Sequence, residues 1–290
     1  MTPSDACAPH PCRGPTADLF RLALPHNSFE STAAMWVSKK YILVCDERGT
    51  TRWPSSTKTW ALGGFITDLA RRGRIISAWK EVKRQLCGDS SCELKWSHFF
   101  PGRHQDRGTN PLISDDPEEW RQQASWAIDK LFEVPEVVPI NTYVRKDEAS
   151  DAAFKKADET SEKEYRVLDI DTLFVGPIGQ LAVFLMEHRG RGEIWFDKLG
   201  SEAEEQRRQH SWQQLRDGEC KVRAENQKVL KSISRKIKFL DSQTDSLVQI
   251  ADFISGVIWA ASEGDEMFLL QALSEYFPTG PGTYTLLRIT

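Results

Sequence analysis

An α/β domain with one sheet flanked by helices is the fold class the sequence predicts, and three observations predict it. Short apolar, β-branched runs end in carboxylates, helical stripes lie between them, and the chain shows no internal repeat or second composition regime. Of its 290 residues 40% are hydrophobic and 28% charged, so neither wholesale disorder nor a membrane protein is expected. Residues 1–38 mix Pro, Ser, Thr and Ala without periodicity and are expected to form a disordered arm. That leaves 39–290 as a single domain with helical insertions.

The elements follow in order. Tyr41-Ile42-Leu43-Val44-Cys45 reads as a buried strand that delivers Asp46 at its end, and Thr59 to Ile66 as a second strand forming a hairpin with it. Apolar positions 75, 76, 79, 82 and 86 make a helical stripe over 75–86. Glu93-Leu94-Lys95-Trp96 is expected to be extended or at the edge of an element, and an extended segment puts Glu93 and Lys95 on one side. A helix near 117–132 and a strand over 137–144 come next, then a charged and partly helical stretch over 147–168. Gly176-Pro177 marks the entry to an apolar helix ending near His188, with Gly190 beyond its end. Glu193-Ile194-Trp195-Phe196 is a strand that also ends in a carboxylate, Asp197, and a charged helix spans about 201–215. Ile237 to Leu240 is a short strand, and an apolar helix over about 246–261 is the last strong element.

Composition and charge exclude some functions and narrow others. The longest apolar run, Leu247 to Ala261, is only about four helical turns and contains Asp252, so a membrane span is not expected. Met1 to Pro15 lacks the basic-then-apolar order of a signal peptide, which makes the cytoplasm the expected compartment. Cysteines 7, 12, 45, 87, 92 and 220 lack the regular spacing of a disulfide scaffold and are expected to be reduced thiols. Cys7, His10, Cys12 and His26 do not match the spacing of a zinc finger. The net charge of −4 is not that of a protein that coats nucleic acid, so any phosphate contact must be local. Lys221 to Lys238 is the one basic stretch, with Lys231, Arg235, Lys236 and Lys238 set against the single acid Glu225.

The carboxylates carry the chemistry. Asp46 and Asp197 each terminate an apolar strand, where an α/β sheet presents fixed side chains to ligands. Asp252 sits among apolar neighbours from Leu247 to Val257, and a buried carboxylate left unpaired costs several kcal/mol, so it must meet a cation, donors or water. Asp245, Gln249, Asp252 and Gly256 form one polar strip along that helix. With Glu93, these acids offer hard oxygen donors of the kind that suit Mg²⁺ or Mn²⁺. Asp169-Ile170-Asp171-Thr172 is a poor version of a phosphatase motif, and His98 reads as a structural histidine among aromatics.

The motifs resemble a bacterial family known as domain of unknown function 3800. They are Asp46-Glu47-Arg48-Gly49, Gly63-Gly64, Glu93-Leu94-Lys95, Trp195-Phe196-Asp197, and Ser242 followed by Gln249-Ile250-Ala251-Asp252 and Gly256, over about 40–261. The resemblance implies an RNase H-like fold with metal held by Asp46, Glu93, Asp197 and Asp252. Arg48 stands where that family usually has Ser, which adds a cation beside the expected metal and suggests a phosphate contact.

A metal-dependent nuclease is therefore the expected function, with Asp46, Glu93, Asp197, Asp252 and Lys95 at the reaction centre. Arg48, Lys231, Arg235, Lys236, Lys238, Ser242 and Gln249 are the expected substrate contacts, and DNA or RNA the expected partner. The rivals are a non-catalytic RNase H-like module that binds nucleic acid or protein, and a small-molecule phosphoesterase.

Overall fold

The computed structural model describes residues 39–99, 116–135, 137–154, 166–169, 173–218, 224–263, 267–276 and 287–289. The expected arm at 1–38, the zinc-like residues within it, and most of the phosphatase-like motif lie outside them. Six strands form one mixed sheet in the order β7-β6-β1-β3-β4-β8: β1 (Lys40–Arg48), β3 (Thr59–Asp68), β4 (Val138–Arg145), β6 (Arg191–Asp197), β7 (Ile233–Leu240) and β8 (Leu287–Ile289). β3 runs antiparallel to both β1 and β4, whereas β6 is parallel to β1 and β7 to β6. A second, two-stranded sheet pairs β2 (Arg52–Trp53) with β5 (Arg166–Val167).

The helices are α1 (Arg72–Cys87), α2 (Trp96–Phe99), α3 (Pro117–Phe132), α4 (Val175–His188), α5 (Glu202–Asp217), α6 (Ala224–Leu230), α7 (Ser246–Glu263) and α8 (Met267–Ser274). Side chains alternate across β1, and both faces of the sheet are buried. Tyr41, Leu43 and Cys45 pack with α4 and α5, and Ile42 and Val44 pack with α1, α3 and α7. A fully buried strand must be apolar throughout, which is why 41–45 has no polar position. Among the described residues no helix is long and apolar enough to cross a membrane.

Two glycines bring α7 against the sheet and against α2. A Cβ on Gly63 of β3 would stand 2.6 Å from the Ser255 Cα, and one on Gly256 of α7 would stand 1.9 Å from the Trp96 ring. Both contacts fall near Asp252, so the close packing decides where that carboxylate comes to rest. At the sheet edge, α5 bonds to the main chain of β7. Gln209, Trp212 and Arg216 donate to the carbonyls of Arg235, Ser234 and Ile233 at 2.8 to 2.9 Å. Those side chains cover an edge that would otherwise be open to pairing with another chain.

Several expectations need correction. The charged stretch at 147–168, where it is described, is helical only in a single turn of 3-10 helix, Asp151–Ala153, and also contains the strand Arg166–Val167. The last helix is followed by α8 and β8. Helix α4 ends at His188 with Gly190 beyond it, but the left-handed residue is Arg189 at φ 49°; the Gly190 N–H bonds to the Leu185 carbonyl at 3.2 Å, and a Cβ at 190 would stand 2.5 Å from the Tyr41 ring. Cys87 and Cys92 form a disulfide with a Cα–Cα distance of 6.6 Å. Gly88, in the left-handed region, turns the chain back over the end of α1 and brings the two thiols together.

Candidate functional site

The sheet register brings the first two carboxylates together. Cys45 pairs with Phe196 across the parallel strands β1 and β6, so Asp46 and Asp197 are the next residues on each. Val44 and Trp195 face the α7 side, and strand alternation turns Asp46, Arg48 and Asp197 to that same side. Helix α7 then supplies Asp252. The charges of Asp252 and Asp197 both act on Asp46, and that of Asp252 acts on Asp197.

Each carboxylate has a different environment. Asp46 is only 8% exposed and accepts one hydrogen bond, from the Glu47 N–H at 2.7 Å. Burial, followed by the negative charges of Asp252 and Asp197, holds its carboxyl well above the usual carboxylate range. Burial also raises Asp197, against the opposing hydrogen bonds of Lys198 and Ser242. Asp197 Oδ1 accepts from the N–H groups of Lys198 at 2.8 Å and Ser242 at 3.2 Å. Asp252 Oδ2 accepts from the Trp96 N–H at 2.7 Å, and its Oδ1 is met by Arg48 Nη1 at 3.2 Å.

Glu93 is placed differently. Its carboxylate is 2.9 Å from Lys95 Nζ, as expected of two residues on one side of an extended segment. It is not among the principal charges acting on Asp46 or Asp197. Lys95 lies between: the hydrogen bond to Glu93 raises its pKa most, burial opposes that, and the charges of Asp252 and Asp197 add to it. His98 Nδ1 accepts from the Lys95 N–H at 3.2 Å, a local structural bond.

Two expected substrate contacts are supports. Gln249 is 2% exposed; its Nε2 donates to the Ser242 carbonyl at 2.7 Å, and its Oε1 accepts from Trp79 Nε1 at 3.2 Å and Lys83 Nζ at 3.3 Å. The Ser242 amide in turn holds Asp197. Gln249 therefore bears on Asp197 through Ser242. Asp245 of the polar strip caps α7, accepting from the Leu247 N–H at 2.8 Å.

From Lys231 on, the described cations of the basic stretch do not share one surface. Lys231 precedes β7 at the end remote from Asp197, roughly 20–25 Å away at strand rise. Arg235 turns to α5 and pairs with Asp217 at 3.0 Å, on the opposite side of the sheet from Asp46. Lys238 is on the carboxylate side but bonds Glu193 at 2.7 Å and lies over the Trp195 ring. Lys236 is exposed two residues before it. Strand geometry scatters charges that a linear reading groups together.

Sequence reasoning missed the main-chain donors at Trp96 and Ser242 and the buried Lys83, whose pKa burial lowers. Gly256, one helical turn after Asp252, was the available signal for Trp96, because only glycine admits the indole there.

The donor set fits a hard divalent cation in chemistry: three carboxylates at one sheet end, with Asp46 raised by burial and by the other two. It is not a closed ligand shell, since among the described residues no three His, Cys, Asp or Glu side chains are grouped to hold one metal ion. Arg48 and the Trp96 amide occupy Asp252 instead. No known protein family, curated protein or solved structure matches the chain.

Proposed function

We propose that the chain is an RNase H-like, metal-dependent phosphodiester hydrolase acting on DNA or RNA, akin to the domain of unknown function 3800 proteins. One observation carries the reading: Asp46 and Asp197 are adjacent at the ends of parallel strands with Asp252 beside them, and their mutual repulsion calls for a cation. The strand order β7-β6-β1-β3-β4, with its senses, supports the RNase H-like topology.

Asp46 and Asp197 would hold Mg²⁺ or Mn²⁺, with Asp252 joining them. The ion would supply an activated water and stabilise the attacking and leaving oxygens. The protein's own residues orient and balance charge. Ser242 and Lys198 fix Asp197, and Trp96 fixes Asp252. Lys95, held by Glu93, stands where it can offset charge growing on a phosphate.

The test is to incubate the protein with single-stranded, duplex and hybrid nucleic acids in Mn²⁺, Mg²⁺ or chelator. Cleavage is expected only with metal, and Asp46→Asn and Asp252→Asn are expected to bind substrate but barely cut it. Equal cutting by the parent and Asp46→Asn overturns the reading. A second reading, a non-catalytic binding module, is favoured by the Arg48–Asp252 pair, and tight binding without cleavage of any substrate selects it.

A further inference from the structure

Resting on that reading, we propose that Arg48 is a built-in competitor of the divalent cation: it neutralises Asp252 in the resting protein and is drawn off by the phosphodiester of an arriving substrate. Three observations lead there. Arg48 lies two residues beyond Asp46 on β1, on the same side of the sheet, and its Nη1 meets Asp252 Oδ1 at 3.2 Å. That oxygen is the part of Asp252 that the Trp96 N–H leaves open, so the guanidinium holds the oxygen that Asp252 would have to offer a cation.

The pair is also built to open. The Arg48 side chain is 24% exposed, and its bond to Asp252 is its one polar contact among the described residues, which leaves most of its fork of donors for another acceptor. Arg208, at the same end of the sheet, differs: its side chain is 5% exposed and its guanidinium lies 4.5 Å from the Phe196 ring centroid. A phosphodiester offers an arginine fork two oxygens, where Asp252 offers one. Substrate and metal would therefore bind cooperatively, each helping to release the same latch.

The test titrates Mn²⁺ into the parent, Arg48→Gln and Arg48→Ser by calorimetry, each with and without dimethyl phosphate, a stable phosphodiester. Arg48→Gln is expected to bind Mn²⁺ at least tenfold more tightly than the parent. Dimethyl phosphate is expected to tighten Mn²⁺ binding several-fold in the parent but little in either variant. Equal Mn²⁺ affinity in parent and variants overturns the competition while leaving the metal site standing. Equal effects of dimethyl phosphate in all three overturn the hand-off. Failure of all three proteins to bind Mn²⁺ overturns the metal reading itself, and this inference with it. Two different substitutions at Arg48 separate loss of the guanidinium from a local folding defect.

Discussion

Asp46 and Glu47 are neighbours on one strand, both acidic, and the two faces of the sheet treat them in opposite ways. Glu47 turns toward α5 and meets Arg208 at 3.0 Å, with that guanidinium over the Phe196 ring. Asp46 turns toward α7, where the charges of two more carboxylates act on it. One face neutralises its charge with a dedicated partner, while on the other Asp46 has no cationic partner of its own and Arg48 goes to Asp252. The first arrangement holds the strand end in place, and the second leaves Asp46 with a buried, destabilised charge. Consecutive acids in a sequence are thus a structural element and a candidate functional one, separated by the period of two.

The largest expected effect comes from removing the compensated charge. Glu47→Ala would leave Arg208 buried and unpaired, with two of its nitrogens already without partners. Breaking a buried pair from one side costs about 3–5 kcal/mol. Part of Glu47 is solvated, so the lower end of that range is expected in urea unfolding. A destabilisation below about 1 kcal/mol would mean that the Glu47 face is no better compensated than the Asp46 face.

Gly256→Ala tests the packing that separates the faces. The new methyl would meet the Trp96 ring at 1.9 Å, so the ring or α7 must shift. Overpacking of this kind typically costs about 1–3 kcal/mol. The shift should also disturb the Trp96 N–H bond to Asp252, visible as a change in that amide's hydrogen exchange. Unchanged exchange with lowered stability would separate packing from the site.

Asp46→Asn is expected to act in the opposite sense to Glu47→Ala and to stabilise the metal-free protein. Each unit by which the folded pKa exceeds the ordinary value is worth about 1.4 kcal/mol. Between the ordinary Asp value, about 3.9, and the raised folded one, the folded chain binds more protons than the unfolded chain, so the stability contributed by Asp46 falls as pH rises. Urea midpoints of parent and Asp46→Asn should converge at low pH and separate toward neutral, with the variant above. Saturating Mn²⁺ should narrow or reverse that gap, because the ion binds the folded carboxylates and not the unfolded chain. A variant less stable than the parent at neutral pH without metal would show that Asp46 is as well compensated as Glu47.

The same contrast explains what could be read from the sequence. Strand-end carboxylates and apolar runs are local signals: β1, β6 and α7 each deliver one acid to the same end of the sheet, where the charges of Asp197 and Asp252 act on Asp46. The destination of Gln249 was not readable: its amide accepts from the distant Trp79 and Lys83 side chains and donates to the Ser242 main-chain carbonyl. The Cys87–Cys92 bridge depends on the turn at Gly88, and the need for a glycine at 190 depends on the Tyr41 ring beside it. Tertiary proximity decides such contacts, and composition and period cannot report it.

The smallest expected effect tests the basic stretch, the most misleading linear feature. Lys231 lies before the far end of β7 and Arg235 pairs with Asp217 on the α5 side, so neither shares a surface with the carboxylates. Removing one phosphate-binding cation should reduce the salt slope of duplex binding by about 0.9 in log–log terms. Lys231→Glu and Arg235→Glu should therefore leave that slope nearly unchanged and alter stability little, since an exposed pair such as Arg235–Asp217 contributes at most about 1 kcal/mol. Lys95→Gln, beside Asp252 and Asp197, should lower the slope by about the amount of one phosphate. Binding titrations from low to moderate salt make the comparison, and a slope change larger for Lys231→Glu than for Lys95→Gln would move the nucleic-acid surface away from the carboxylate end.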